Sequence, residues 1–389
     1  MAKRLPPAPW TAREDLAALV EALGPGKARY VGGAVRDTLL GLAVKDVDVA
    51  TPLVPTEVVE RLARASIRTV PTGIEHGTVT AVLPQGPVEI TTLRHDVSTD
   101  GRRATVAFAS DWRDDAARRD FTINALYADP HTGEISDWFG GLADLAARRV
   151  RFIGDARQRI REDHLRILRY FRFQARFGSQ PADEQSEQAC AELAPTLKGL
   201  SRERIGMEML NLLGLPDPAP TVARMAELGV LAVILPEADP ARLAHLATAE
   251  RRHAVAPDAV RRLAALLPAG GPLAESVASR FRLSSAQKKR LAMAAARDGM
   301  ARDARALAYR LGRESALDRL LLDGGDPGPL SGWDIPVFPL KGGDIVAAGI
   351  TAGPEVARVL KAVETRWIDE GFPGPDRVRA LLADEIAPT

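Results

Sequence analysis

Asp46 and Asp48 flank Val47 inside an apolar run. In a strand, alternate side chains share a face, so the two carboxylates point one way while Val47 and Val49 face a core. Two carboxylates on one face repel unless a cation stands between them. A hard divalent ion such as Mg2+ is their natural occupant, because it takes one or two carboxylates plus phosphate oxygens. Upstream, Gly32-Gly33 closes an apolar strand and opens a short helix carrying Arg36 and Asp37. Glycine there admits an anion close to backbone amides, the helix start adds a favourable dipole, and Arg36 supplies a cation. A phosphate cradle and a metal-binding carboxylate pair on one short unit are what nucleotidyl transfer needs: two metals clamp the attacking and leaving oxygens. Glu89, between Val88 and Ile90 in another strand segment, is the candidate third carboxylate. Taken singly, each motif also has a plainer reading: an outward charge pair, a tight turn, an outward strand glutamate.

Two further segments carry chemistry. RRDFTINALY (118–127) places Arg119, Asp120 and Asn124 beside an apolar helix start, with Arg matched to phosphate oxygens and Asp or Asn to a ribose hydroxyl. In EDHLRILRYFR (162–172), Asp163, Arg166, Arg169 and Arg172 recur every three residues. On one continuous helix each such step drifts about 60°. Asp163 and Arg166 then form an adjacent acceptor–donor pair, and Arg169 and Arg172 serve another target. A carboxylate accepts from the cytosine or adenine amino group, and a guanidinium donates to ring acceptors. Uracil and guanine present a carbonyl instead, so such a pair selects C and A.

The run G-G-x-V-R-D-x-L-L-G (32–41) followed by D-V-D-x-x-T (46–51) resembles the DNA-polymerase-β-like nucleotidyltransferases. More narrowly, it resembles the class II family of CCA-adding tRNA nucleotidyltransferases and poly(A) polymerases. TGIEHGTV (72–79), VEITTLRHDVSTDGR (88–102), RRDFTINALYADP (118–130), FGGLADLAARRVRFIG (139–154) and EDHLRILRYFRF (162–173) match in order, and SRERIGMEML (201–210) resembles a neck-and-body motif. The likeness is dense over 28–210 and looser beyond. It implies an α+β fold, a polymerase-β-like head of mixed sheet and helices followed by an all-α neck, body and tail. The expected divisions are an N-terminal helix (1–25), the head (26–150), the nucleotide-reading neck (151–215) and a tRNA-binding body and tail (216–389).

The activity implied is template-independent addition of C and A to the tRNA 3′ end from CTP and ATP, with release of pyrophosphate. Asp46 and Asp48 would bind Mg2+ beside Glu89. Gly32, Gly33, Arg36, Arg119, Asp120, Asn124, Arg169 and Arg172 would hold the nucleotide, and Asp163 and Arg166 would read its base. The segment 96–108 corresponds to a flexible loop associated in the family with the switch from C to A addition. The alternatives are a poly(A) polymerase, an enzyme adding only part of CCA, and a non-catalytic RNA-binding module. TGIEHGTV resembles the CCA-adding version of its segment. His245 and His253 stand alone, so no second, phosphohydrolase activity is expected.

The elements that must position these residues follow from texture. Thr11 is expected to cap a helix over 11–23 that Gly24-Pro25 stops. Strand-rich segments then alternate with the short helical stretches RDTLLGL and PTEVVERLARA to about residue 150. From Gly154 the pattern is helix after helix: 155–177, 183–194, 201–213, 219–228 and onward. The length, 389 residues, allows two to three domains. A hydrophobic share of 46% with 26% charged residues excludes a disordered chain or a collagen-like repeat. A single cysteine, Cys190, excludes an intrachain disulfide or a cysteine-based zinc site. The opening MAKRLPPAPW lacks the apolar stretch of a secretory signal, and no long apolar run follows, so the expected address is the cytoplasm with no membrane contact and no protein partner. Net charge is only +1, yet residues 148–176 hold ten arginines against Asp155, Glu162 and Asp163. That local surplus points to a triphosphate or RNA surface. Lys288, Lys289 and Arg290, near Arg280 and Arg282, are weaker candidates for backbone contacts.

Overall fold

A computed structural model describes residues 3–73, 77–100, 103–109, 111–297 and 303–387, with the side chains of 72 and 95–107 outside that description. The chain forms two units, Met1–Pro236 and Glu237–Thr389.

In the first unit the order is α1 (Glu14–Leu23), β1 (Arg29–Val31), α2 (Gly33–Leu39), β2 (Asp48–Thr51), α3 (Pro55–Arg64), β3 (Thr69–Gly73), β4 (Thr78–Leu83), β5 (Gly86–Thr92), β6 (Arg94–Asp100), β7 (Arg103–Phe108), α4 (Trp112–Ala117), β8 (Leu126–Ala128) and β9 (Ile135–Asp137). Helices then take over: α5 (Gly141–Ala146), α6 (Ala156–Glu162), α7 (Arg166–Phe177), α8 (Glu184–Leu193), α9 (Arg202–Leu213), α10 (Ala219–Glu227) and α11 (Val230–Ile234). The expected α+β head with an all-helical remainder is borne out. Seven strands form one sheet in the order β3-β4-β5-β2-β1-β8-β9; β2 and β5 run parallel and the other neighbours antiparallel.

Register fixes what each face carries. Tyr30, Val49, Ile90 and Val79 make one buried row. On the opposite face Tyr127, Val31, Asp48, Glu89 and Thr80 make another. The second row begins in a core of Val31, Ala50, Leu93, Ala116, Tyr127 and Ile153, under Trp112 of α4. Past half-buried Asp48 it reaches an exposed Glu89, with Thr80 of β4 beyond.

Several local expectations differ. Thr11 does not cap α1; its hydroxyl closes a preceding 3-10 turn, Pro9–Ala12, by bonding Ala8. Asp46 precedes the strand, though the alternation of exposed Asp46, buried Val47, half-buried Asp48 and buried Val49 holds. The 96–108 segment is not an open loop: β6 and β7 pair as an antiparallel hairpin, with Gly101 and Arg102 outside the described residues. Residues 74–76 of TGIEHGTV also lie outside them.

The 155–177 helix is two helices. Asp163 is extended (φ −151°), and its Oδ1 accepts the Leu165 N–H at 3.1 Å. A short polar side chain that competes for backbone N–H groups ends one helix and starts the next. Beyond this break, aromatic contacts seat α7 against the head. Phe121 lies 4.9 Å from Phe173 and 5.0 Å from Phe152, which stacks on Tyr170.

The second unit contains α12 (Pro240–Arg252), α13 (Ala259–Leu266), α14 (Gly271–Arg280), α15 (Ser285–Ala295), α16 (Ala304–Leu311), α17 (Arg313–Leu322), α18 (Gly342–Ala347), α19 (Pro354–Asp369) and α20 (Pro375–Ile386). Buried Glu250 binds both Arg261 and Arg262. Arg290 is not presented for an RNA backbone: Asp258, Glu314 and Asp318 hold it at 2.8–3.0 Å. Arg280 is likewise paired with Glu237. Arg282 and Lys289 are exposed.

Candidate active site

Pairing of β2 with β5 sets Asp48 directly beside Glu89, on one face of the sheet. Burial raises the Asp48 carboxyl above its ordinary range, and the charges of Glu89 and Asp46 push the same way, while Arg119 opposes them. Like charges gathered at the rim of a core are the electrostatic signature of a cation site. Among the described residues no three His, Cys, Asp or Glu side chains already form a ligand cluster. The oxygen-only donors here suit a hard divalent ion rather than zinc.

Gly32 and Gly33 form the turn from β1 into α2 as expected. Gly32 has φ +69°, a region that favours glycine. A Cβ at Gly32 would lie 3.4 Å from Arg119 Nη1 and one at Gly33 would lie 3.7 Å from Arg36 Nη2. Both guanidiniums therefore lie over the turn. Arg36 is only 6% exposed, donates to Asp37 at 2.8 Å and to Asn124, and lies 4.1 Å over the Phe177 ring. Burial draws its pKa down, with Asp37 resisting. Arg119 is bound from beneath. Its Nε donates to Tyr127 Oη at 2.9 Å, and Nη2 donates to Asp115 at 3.3 Å. Burial opposes its charge, but Tyr127 and Asp115 keep it more firmly protonated than usual.

The neck residues are brought close to the head, with partners the sequence did not reveal. Asn124 Nδ2 donates to Asp120 Oδ1 at 3.0 Å, and Arg169 donates to Asp120 Oδ2 at 2.6 Å and 2.9 Å. Burial disfavours the Asp120 anion, yet Arg169 and Asn124 hold its carboxyl below the usual range. Arg172 pairs with Glu208 of α9 at 2.6 Å. Asp163 and Arg166 do not bond to each other through their side chains. Asp163 Oδ2 accepts from Arg204 at 2.9 Å, and Arg166 pairs with Glu162 at 2.6 Å. The helix break separates them, so the drift argument applies only from Arg166 onward.

Residues 28–151 match the family model described as "Poly A polymerase head domain", and 182–242 match "Probable RNA and SrmB- binding site of polymerase A". The chain is 36% identical to the mitochondrial CCA tRNA nucleotidyltransferase 1 of Mus musculus, over 88% of this chain and 83% of the relative. The chain belongs to the CCA tRNA nucleotidyltransferase family. It is 40% identical to the CCA-adding enzyme of Geobacillus stearothermophilus over 53% of this chain and 50% of that one. Among solved structures, the Bacillus stearothermophilus CCA-adding enzyme in complex with CTP superposes with a TM-score of 0.76 at 28% identity, covering 95% of this chain and 96% of that one. The Thermotoga maritima CCA-adding enzyme complexed with tRNA shares the fold, with a TM-score of 0.69 at 21% identity, over 96% of this chain and 98% of that one.

Within this member of the family, Asp115, Tyr127, Glu162, Arg204 and Glu208 are the site neighbours that sequence reasoning passed over. Asp115 lies four residues before Arg119 on a helical stretch, a spacing that brings side chains together, and Glu162 stands four before Arg166. Arg204 and Glu208 lie in the matched SRERIGMEML segment, without a local signal for their partners. The basic stretch is also altered by folding. Eight of its ten arginines, Arg149, Arg151, Arg157, Arg159, Arg166, Arg169, Arg172 and Arg176, meet carboxylates.

Proposed function

We propose that this chain adds C and A to the 3′ end of tRNA without a nucleic-acid template, using CTP and ATP. The observation that carries the reading is the row Tyr127-Val31-Asp48-Glu89, which leads to paired carboxylates, with Arg119, whose guanidinium lies over the Gly32 turn, near enough for its charge to act on Asp48. Family membership along most of the chain supports it. Asp46 and Asp48 are the residues to hold Mg2+, with Glu89 beside them. The ion supplies charge neutralisation at the α-phosphate and at the leaving pyrophosphate.

The chain's own groups do the rest. Gly32-Gly33 allows close approach of the triphosphate, and Arg119 donates to its oxygens from above the turn. Arg36, Asn124, Asp120 and Arg169 are joined through hydrogen bonds, Arg172 is held beside them by Glu208, and together they fix the walls against which the sugar and phosphates lie. Asp163, held by Arg204 as an acceptor, takes the cytosine N4 or adenine N6 amino hydrogen, and Arg166 donates to the ring. The tRNA 3′-oxygen bonds to the α-phosphorus, the bond from the α-phosphorus to the bridging oxygen breaks, pyrophosphate leaves with that oxygen, and the hydroxyl proton passes to the surrounding water. No helix among the described residues is long and apolar enough to cross a membrane. The proposed compartment is the cytoplasm, where a single buried cysteine suits reducing conditions.

Incubation with tRNA trimmed to its discriminator base, Mg2+, CTP and ATP tests the reading. The expected product is three nucleotides longer and stops there. A long ladder from ATP alone would favour the poly(A) reading, and no extension would contradict transfer.

A further inference from the structure

We propose that the Tyr127 hydroxyl is a positioning residue for nucleotide binding, acting with Asp115 to aim Arg119 at the Gly32-Gly33 turn. This rests on reading Arg119 as a triphosphate contact. Tyr127 is fully buried and Asp115 is 1% exposed, so neither meets the nucleotide. The Tyr127 ring is fixed between Trp138 and Trp112, with edge contacts of 5.5 Å and 6.1 Å between centroids. Its place in the register row points it to the same sheet face as Asp48.

The hydroxyl uses both of its capacities. It donates to Asp115 Oδ2 at 2.5 Å and accepts from Arg119 Nε at 2.9 Å. Asp115 also accepts from Arg119 Nη2 at 3.3 Å, so two points on the guanidinium edge are fixed. A planar guanidinium pinned at Nε and Nη2 has its remaining orientation decided. The end that remains, Nη1, is the one lying over Gly32. Asp115 has other anchors, Arg118 Nε at 2.8 Å and the Arg94 amide at 3.3 Å, which keep it in place when the hydroxyl is absent.

Tyr127→Phe removes the hydroxyl and keeps the ring, so the aromatic packing survives. Losing a hydrogen bond to a charged group should raise KM for CTP and ATP about fivefold or more. KM for tRNA should stay unchanged and kcat should fall less than KM rises. Because the hydroxyl acts through Arg119, Tyr127→Phe added to Arg119→Ala should cause no further loss, whereas a purely structural role gives additive losses. Additivity, or a wild-type nucleotide KM in Tyr127→Phe beside an impaired Arg119→Ala, overturns the positioning role alone. A wild-type nucleotide KM in Arg119→Ala contradicts the triphosphate-contact reading beneath it. Thermal melting of each variant separates either result from unfolding.

Discussion

Asp48 carries opposed demands. The proposed transfer needs its carboxylate ionised at the rim of the sheet, and folding disfavours that charge because burial and Glu89 both raise its pKa. A carboxyl with a raised folded-state pKa binds its proton more tightly in the fold than in the unfolded chain. Its stabilising contribution is therefore complete below the ordinary aspartate range and is lost as pH rises through the raised value. Asp48→Asn should abolish nucleotide transfer yet raise the melting temperature by a few degrees near neutral pH, in chelator, with the gain vanishing in acid. Melting curves across pH check the sign; a lower melting temperature at neutral pH contradicts it. At this scale the sequence was a good guide to residue types. The spacing of Asp46 and Asp48 follows from strand alternation, which is local. That Glu89 is the direct neighbour of Asp48 was not legible, because parallel pairing of β2 with β5 joins distant segments.

At the scale of elements, apolar periodicity found most helices but ran straight through the break at Asp163. The apolar spacing continues past Asp163, so the boundary shows only in the fold, where Asp163 is extended and its side chain bonds the Leu165 amide. The break frees Asp163 from a helix flank and pairs it with Arg204 of α9. Arg204→Ala should lower discrimination against UTP by about tenfold, with transfer of CTP retained, because losing a charge-assisted hydrogen bond loosens the acceptor. Competition between labelled CTP and UTP measures it, and unchanged selectivity would show that Arg204 does not orient the base-reading group. The 96–108 hairpin was legible as β-rich at its ends, but its polar middle reads equally as a loop, since strand pairing there depends on a partner rather than on composition.

Over the whole molecule, charge placement is where linear reading and folding part most. A surplus of arginine along 148–176 is largely answered by carboxylates from elsewhere: Asp37, Asp120, Asp144, Glu192 and Glu208. Arg148 and Arg161 are exposed. Arg161→Ala should weaken tRNA binding and reduce its salt dependence by about one unit of slope. Arg172→Ala should instead cost about 2 kcal/mol of stability by leaving the nearly buried Glu208 only the more distant Arg169, at 3.9 Å, while leaving that slope unchanged. Binding titrations at several salt concentrations, with thermal melts, distinguish the two.

In the proposed activity, protein side chains choose C and A in place of a nucleic-acid template. The deciding measurement is kcat/KM for CTP, ATP, UTP and GTP on trimmed tRNA, for the wild-type protein and for Asp163→Ala. Unpaired buried polar groups should exclude the wrong bases by about a thousandfold or more in the wild type. That preference should collapse in Asp163→Ala while its transfer chemistry persists. Equal use of all four nucleotides by the wild type, or full selectivity in the variant, would contradict the account.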